Sequence, residues 1–252
     1  MFDLLKRPIL IFQDFVLLAW RAVRGIFQTP HYWDDVFIQM DLIGIGSLPV
    51  TMLTGFFSGA VLALQMSRAL ETYGQTASVA QLVSIAQIRE MGPVLTAIMV
   101  AGRNSTGMAS EIGSMKVTEQ IDAMRALGTD PVLKLVTPRL VATSVVLPLL
   151  VILADFVALF GGWVVACPML NLTTGSHFWI SAWRILEWND LSQGLIKPLV
   201  FAVVLSLVGC FYGMRTEGGT EGVGRSTTQA MVVASVWIVV LTFFIGRIFV
   251  SL

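Results

Sequence analysis

Three sets of residues in this sequence have types and spacing that could do chemistry. The first is Gly219-Thr220-Glu221-Gly222-Val223-Gly224-Arg225-Ser226. It has the order of a phosphate-cradling loop, with Arg where the Lys that reaches the β- and γ-phosphates belongs. The second is Arg89-Glu90, with Lys197 far along the chain, all set in otherwise apolar runs. Charge in such a setting is costly, so it faces a cavity or a partner and marks a candidate binding site. The third is Cys167, Cys210, His31 and His177. Neither Cys has a Cys or His neighbour at metal-ligand spacing, and the two His are far apart. These residues therefore point to packing rather than to a metal site.

The elements that must position these groups follow from composition. Of 252 residues 56% are hydrophobic and 13% charged, with a mean hydropathy of +0.79. Soluble domains carry roughly a quarter charged residues, so the main solvent here is lipid. Sixteen basic and sixteen acidic residues cancel, which leaves no global field to gather nucleic acid. A crossing helix needs about 20 largely apolar residues. Stretches at about 42–66, 80–102, 140–166, 195–214 and 230–250 meet that need. The second is the weakest, because Arg89 and Glu90 fall near its middle. The third holds Pro148, expected to kink it, and Asp155, which has no evident partner.

Lys and Arg in the flanks set the orientation. Lys6, Arg7, Arg21, Arg24, Arg103, Lys116, Arg125, Lys134, Arg139, Arg215 and Arg225 fall on one side. Arg68, Arg184, Lys197 and Arg247 fall on the other. The N-terminus and the 103–139 and 215–229 loops are expected to be cytoplasmic, and the C-terminus outside. Trp179, Trp183 and Trp188 then form an outer aromatic belt. In residues 1–28, Asp3, Lys6, Arg7, Gln13, Asp14, Arg21 and Arg24 share an arc of roughly 120°. Leu, Ile, Phe, Val and Trp fill the other face, which describes a helix lying in the membrane interface, with Pro8 near its start. Asp3 and Asp14, and the lack of a small-x-small cleavage site, argue against a signal peptide.

Within 103–139, Val117, Ile121, Met124 and Leu127 recur at helical spacing, with Lys116, Glu119, Gln120 and Asp122 on other faces. Gly128 fits the position just past a helix end, and Asp130-Pro131 fits the cap and first residue of the next helix. Thr137-Pro138 repeats that signal at the start of the third span. This short amphipathic helix suits either a structured loop or a docking helix for a cytoplasmic partner. The Gly219–Ser226 run lacks a preceding strand, and Glu217 and Glu221 would repel phosphate. Ser226 and Gln229 instead fit a capping box opening the fifth span. Gly55-x-x-x-Gly59 and Gly209-x-x-x-Gly213 are close-packing signals, read as packing within the chain. The Asn-x-Ser/Thr sites at Asn104 and Asn171 are read as chance.

Arg89-Glu90-Met91-Gly92-Pro93-Val94, Ala101-Gly102-Arg103 and Ser110-Glu111-Ile112-Gly113-Ser114-Met115 through Thr118-Glu119-Gln120 to Ala123-Met124 closely resemble the MlaE-type permease family. These permeases are the membrane subunits of ABC transporters that work with MCE proteins. Gly222-Val223-Gly224-Arg225-Ser226-Thr227-Thr228 matches a further family motif. Ser110 departs from the family's Ala, one small residue for another. The resemblance covers nearly the whole chain.

It implies a single all-α permease domain over 1–252, with an N-terminal interfacial helix, five spans and a cytoplasmic coupling helix. It implies a homodimer in the bacterial inner membrane that is not itself an enzyme. Each copy would grip an ABC ATPase through Glu119, Gln120, Ala123 and Met124, and Arg225 could touch the same partner. ATP and Mg would sit in that ATPase, with no cofactor in this chain. An MCE-domain protein would sit on the periplasmic face, a STAS-domain protein often joins, and the cargo would be phospholipid, in keeping with outer-membrane lipid asymmetry. Arg89 and Lys197 are expected to meet anionic lipid headgroups at an outward pocket, with Glu90 balancing charge there or pairing with one of them and Tyr73 near the opening; the alternative is a structural ion pair that fixes helix packing. An ion-coupled secondary transporter is the rival class, but it calls for inverted repeats, and none is evident.

Overall fold

The computed structural model describes residues 2–30 and 32–251, with side chains over 9–30 and 32–249. His31 and the side chains of Asp3, Lys6, Arg7 and Pro8 lie outside the described residues. The elements are α1 (Phe2–Gly25), α2 (Trp33–Glu71), α3 (Thr76–Val117), α4 (Gln120–Ala126), α5 (Val132–Met169), α6 (Gly175–Arg184), α7 (Trp188–Met214) and α8 (Gly219–Ser251). Among the described residues there is no strand. Five of the described helices, α2, α3, α5, α7 and α8, are long and apolar enough to cross a membrane.

Each of these helices overruns the apolar stretch that announces it. Asp34 and Asp35 occupy the first turn of α2, where negative charge suits the helix dipole. Residues 103–117, expected as loop, continue α3. Two of its turns are π-helical, Gln87–Met91 and Ala101–Ser105, and α5 has two more at Val132–Val136 and Val165–Met169. A π turn holds one extra residue and shifts the hydrogen-bond register. Pro93 and Pro138 follow two of these turns, and Pro168 lies in a third, so proline rings are absorbed there without ending the helix. Thr137-Pro138 is thus internal to α5 and does not start it. Around Pro148 the α-helix runs unbroken from Thr137 to Val164.

The chain divides into two compact units. The first comprises 1–43, 101–145 and 202–237. In it α3 meets α7 closely enough that a Cβ on Gly209 would lie 3.0 Å from the Ser105 carbonyl, and one on Gly213 would lie 2.8 Å from Ile112 Cβ. Ser105 Oγ also donates to the Leu205 carbonyl at 2.8 Å. This GxxxG pair therefore packs within the chain. Arg139 of α5 is 4% exposed and pairs through Nη2 with Glu111 of α3 at 2.7 Å. α1 docks by an edge-on Phe15–Phe211 contact and an Asp14–Arg215 ion pair at 3.1 Å. Its Ala22 and Gly25 are buried, while Phe12 and Trp20 stay exposed, as does Phe27 just past its end; exposed apolar side chains suit the interfacial placement expected from the sequence.

The second unit comprises 44–100, 146–201 and 238–252. Gly55 and Gly59 of α2 lie against the backbone of α5: a Cβ on Gly55 would come within 2.7 Å of the Ala154 carbonyl, and one on Gly59 would overlap that of Ala158. This second GxxxG is also intrachain packing. α6 was not evident in the sequence, where its tryptophans read only as a belt. It buries Phe178 and Ala182 in a cluster with Val79, Val83 and Leu159, and the Ala182 carbonyl accepts from Ser84 Oγ at 3.0 Å. Trp179 stacks on Phe156, whereas Trp183 and Trp188 are exposed.

Candidate functional site

The charged residues read from the sequence meet within the second unit. On α7, Asp190, Gly194 and Lys197 recur at i, i+4 and i+7, which puts them on one helix face. This face lies on the π turn Gln87–Met91 of α3. A Cβ on Gly194 would sit 3.2 Å from the Ile88 carbonyl, so the residue there must be small. Arg89 pairs with Asp190, and Lys197 Nζ lies 2.6 Å from Glu90 Oε1. Lys197 Nζ also donates to the Arg89 carbonyl at 2.6 Å. Pro93 explains why that carbonyl is available. It stands four residues on, where an amide N–H would normally bond back, and it has none to give. The buried ammonium takes the place of the missing donor.

Asp190 serves two partners. Its Oδ1 holds Arg89, and its Oδ2 accepts from the Glu187 backbone N–H at 3.0 Å. Asp190 is three residues past the Glu187 cap of α7, so the second bond is the return arm of a capping box. The cluster carries two positive and two negative groups. Lys197 is fully enclosed, whereas the Arg89 and Glu90 side chains are 39% and 44% exposed. These two form the open rim, with Lys197 behind them. A Cβ on Gly246 of α8 would lie 3.5 Å from Glu90 Oε1, so α8 borders the rim without filling it. Tyr73 is not part of this hydrogen-bonded cluster. It is 79% exposed, on the turn between α2 and α3.

The residues expected to meet a cytoplasmic partner lie in the first unit, on and beside α4. α3 stops at Val117, after which Glu119 takes a left-handed backbone with φ 59° and starts α4. Val117 is thus on α3 and not on the docking helix, which is shorter than its apolar stripe suggests. Ile121 alone of that stripe is buried. Glu119, Gln120 and Ala123 are exposed and Met124 half-buried, so a partner could reach all four. Asp122 ties the helix to the end of α3 by an ion pair to Lys116 at 2.8 Å, and pairs within α4 with Arg125 at 3.0 Å. α4 ends in a Schellman motif, with Gly128 N–H donating to Arg125 and Thr129 N–H to Met124, both at 3.0 Å. Asp130 Oδ1 accepts from Val132 N–H at 2.9 Å, the cap its sequence position announced.

Gly219 to Ser226 is not a turn before a helix. It forms the first two turns of α8, and Gly218 and Gly219, both at positive φ, make the bend ahead of it. Ser226 therefore caps nothing. Its Oγ instead accepts from Thr216 Oγ1 at 2.9 Å. Arg225 is exposed and pairs with Glu221 one turn back at 3.5 Å. The run is helix and not a loop that wraps around a phosphate, and Glu217 and Glu221 put negative charge at its start.

Residues 36–248 match the family described as Permease MlaE, which covers most of the chain. The chain belongs to the MlaE permease family. A probable ABC transporter permease protein of Rickettsia felis is 39% identical over 94% of this chain and 91% of its own length. The intermembrane phospholipid transport system permease protein MlaE of Haemophilus influenzae is 34% identical over 92% of this chain and 88% of its own. Protein TRIGALACTOSYLDIACYLGLYCEROL 1, chloroplastic, of Arabidopsis thaliana is 33% identical over 92% of this chain and 66% of its own.

In this MlaE-family permease the sequence reading missed two members of the polar interior. Asp190 stands at the edge of an apolar run, and its heptad spacing to Lys197 was the available signal. Gln87, 1% exposed, donates through Nε2 to Asp155 Oδ1 at 3.3 Å and thereby supplies the partner that Asp155 lacked in the sequence.

Proposed function

We propose that this permease is the membrane-spanning subunit of an ABC transporter that moves phospholipid, or a related lipid, between the inner membrane and the periplasmic or outer-membrane side. Maintenance of outer-membrane lipid asymmetry follows from that role. The observation that carries the reading is the four-charge cluster of Arg89, Asp190, Lys197 and Glu90 within apolar helices of an MlaE-family chain. Arg89 at the open rim would engage the lipid phosphate, Lys197 would supply positive potential from behind, and Glu90 would balance charge or receive a headgroup amine. Tyr73 would stand near the opening.

Two copies of the chain would form the transmembrane core in the inner membrane, with the N-terminus cytoplasmic and the C-terminus periplasmic. Each would bind an ATPase through Glu119, Gln120, Ala123 and Met124, with Arg225 beside them, and ATP and Mg would be held in that partner. α3 carries Arg89 and Glu90 and is joined to α4 through Thr118 and Glu119, which would give ATPase movement at α4 a short path to α3. An MCE-domain protein would receive lipid on the periplasmic side, and a STAS-domain protein would join the ATPase.

The test is charge reversal in the intact complex. Arg89→Glu or Lys197→Glu should sharply reduce co-purified phospholipid while ATPase subunits remain bound. Unchanged lipid occupancy refutes the headgroup site. Glu119→Ala with Gln120→Ala should weaken ATPase association, and full association refutes the docking role. Transport by the purified chain on an ion gradient alone would overturn the ABC reading.

A further inference from the structure

Asp155 of α5 reaches both ends of the π turn that carries Arg89 and Glu90. At the first residue, Gln87 Nε2 donates to Asp155 Oδ1 at 3.3 Å. The other end of that amide is held too, with Ser58 Oγ of α2 lying 3.3 Å from Gln87 Oε1. At the residue just past the turn, Gly92 lies so close that a Cβ would overlap Asp155 Oδ1. The Gly92 N–H bonds back to the Gln87 carbonyl and closes the turn. Gln87 and Asp155 are 1% and 8% exposed, so the arrangement is enclosed by the chain itself. A polar side chain is expensive at this depth and needs a reason to be there.

We propose that Asp155 is the positioning residue of the headgroup site: its carboxyl clamps the π turn through Gln87 and Gly92. The inference rests on the headgroup reading above for its purpose, though not for its geometry. A π turn is an α-helix with one residue too many, and each residue of an α-helix advances by about 100°. Without the clamp the turn can return to α register and swing Arg89 and Glu90 by that amount. Lys197 then loses both the Arg89 carbonyl and the Glu90 carboxylate. Asp155 touches no cargo in this arrangement and acts only through the turn.

The test reads Lys197 directly, by mass spectrometry after brief labelling of the purified complex with a small amine-acylating reagent. Lys197 in the unaltered protein is expected to resist labelling. Asp155→Asn keeps an oxygen for Gln87 and the same volume, and should leave Lys197 protected. Asp155→Ala and Gln87→Leu should raise labelling about tenfold, which corresponds to a local opening made easier by about 1.4 kcal/mol. Protection equal to that of the unaltered protein in both variants overturns the proposal. Should Asp155→Ala fail to assemble, Gln87→Leu, which keeps the bulk, carries the test alone. Bound phospholipid, measured on the same samples, separates the two readings. Raised labelling with lipid retained upholds the clamp and refutes the headgroup site. Raised labelling with lipid lost supports both.

Discussion

Glu111→Ala isolates a second internal ion pair, the one that ties α3 to α5 in the first unit. Arg139 is 4% exposed, with Nη2 held by Glu111 at 2.7 Å and Nη1 donating to the Leu135 carbonyl at 2.7 Å. Its Nε is buried and has no partner. Removing one member of a buried pair costs about 3–5 kcal/mol, because the other charge is left stranded. The Glu111 side chain is 53% exposed, so water can enter once it is cut back. Solvent screening reduces the cost to about 1–2 kcal/mol. For a chain of this size that is a fall of about 2–8 °C in Tm. The assay is thermal unfolding of the purified protein in detergent, followed by loss of the monodisperse peak. Adding Arg139→Met should recover most of the loss, since it removes the stranded charge, and the cycle of four proteins gives the coupling energy. A Glu111→Ala protein within about 1 °C of the parent refutes the reasoning. So does a double variant less stable than the single one.

Gly59→Ala and Gly107→Ala should have opposite signs. A Cβ at 59 overlaps the Ala158 carbonyl, whereas a Cβ at 107 meets nothing within 4 Å, so the first should lower Tm and the second raise it. Lys116, hydrogen-bonded to Asp122 with Arg125 beside it, holds that carboxyl below the usual carboxylate range. The stabilisation is complete above the unfolded value and is lost as pH falls through the lower folded value. Protection factors in α4, corrected for the intrinsic exchange rate, should therefore fall only below about pH 4, and equal protection factors at neutral pH and pH 3 would refute the tie. Arg225→Ala should leave nucleotide binding by the complex unchanged, and a lost ATP site in this chain would refute the helical reading of Gly219–Ser226.

The spans were legible because lipid imposes a long apolar run that few other structures need. The end of α4 was legible because Gly128 and Asp130-Pro131 each satisfy a specific backbone demand. Its start was not, because a left-handed Glu119 is strained and carries no residue signature. Ser226 was misread for a related reason: three glycines in eight residues look like a turn, yet the Glu221–Arg225 pair and the Thr216 hydroxyl bond help hold them in helix. Arg89, Glu90 and Lys197 stood out as charges in apolar runs. The residues that orient them did not, because Gln87 is uncharged and Asp190 sits where a run ends.

The four charges of the cluster already satisfy one another before any cargo arrives. On the proposed function, an arriving phosphate must compete with the Asp190 carboxylate for Arg89, so its gain is set against an anion already in place. The net gain is a small difference between two similar contacts. A receptor built to retain its ligand would leave such a guanidinium unpaired. A conduit has to surrender what it picks up, and a site that closes on itself as the lipid departs shortens the residence time of each molecule that passes.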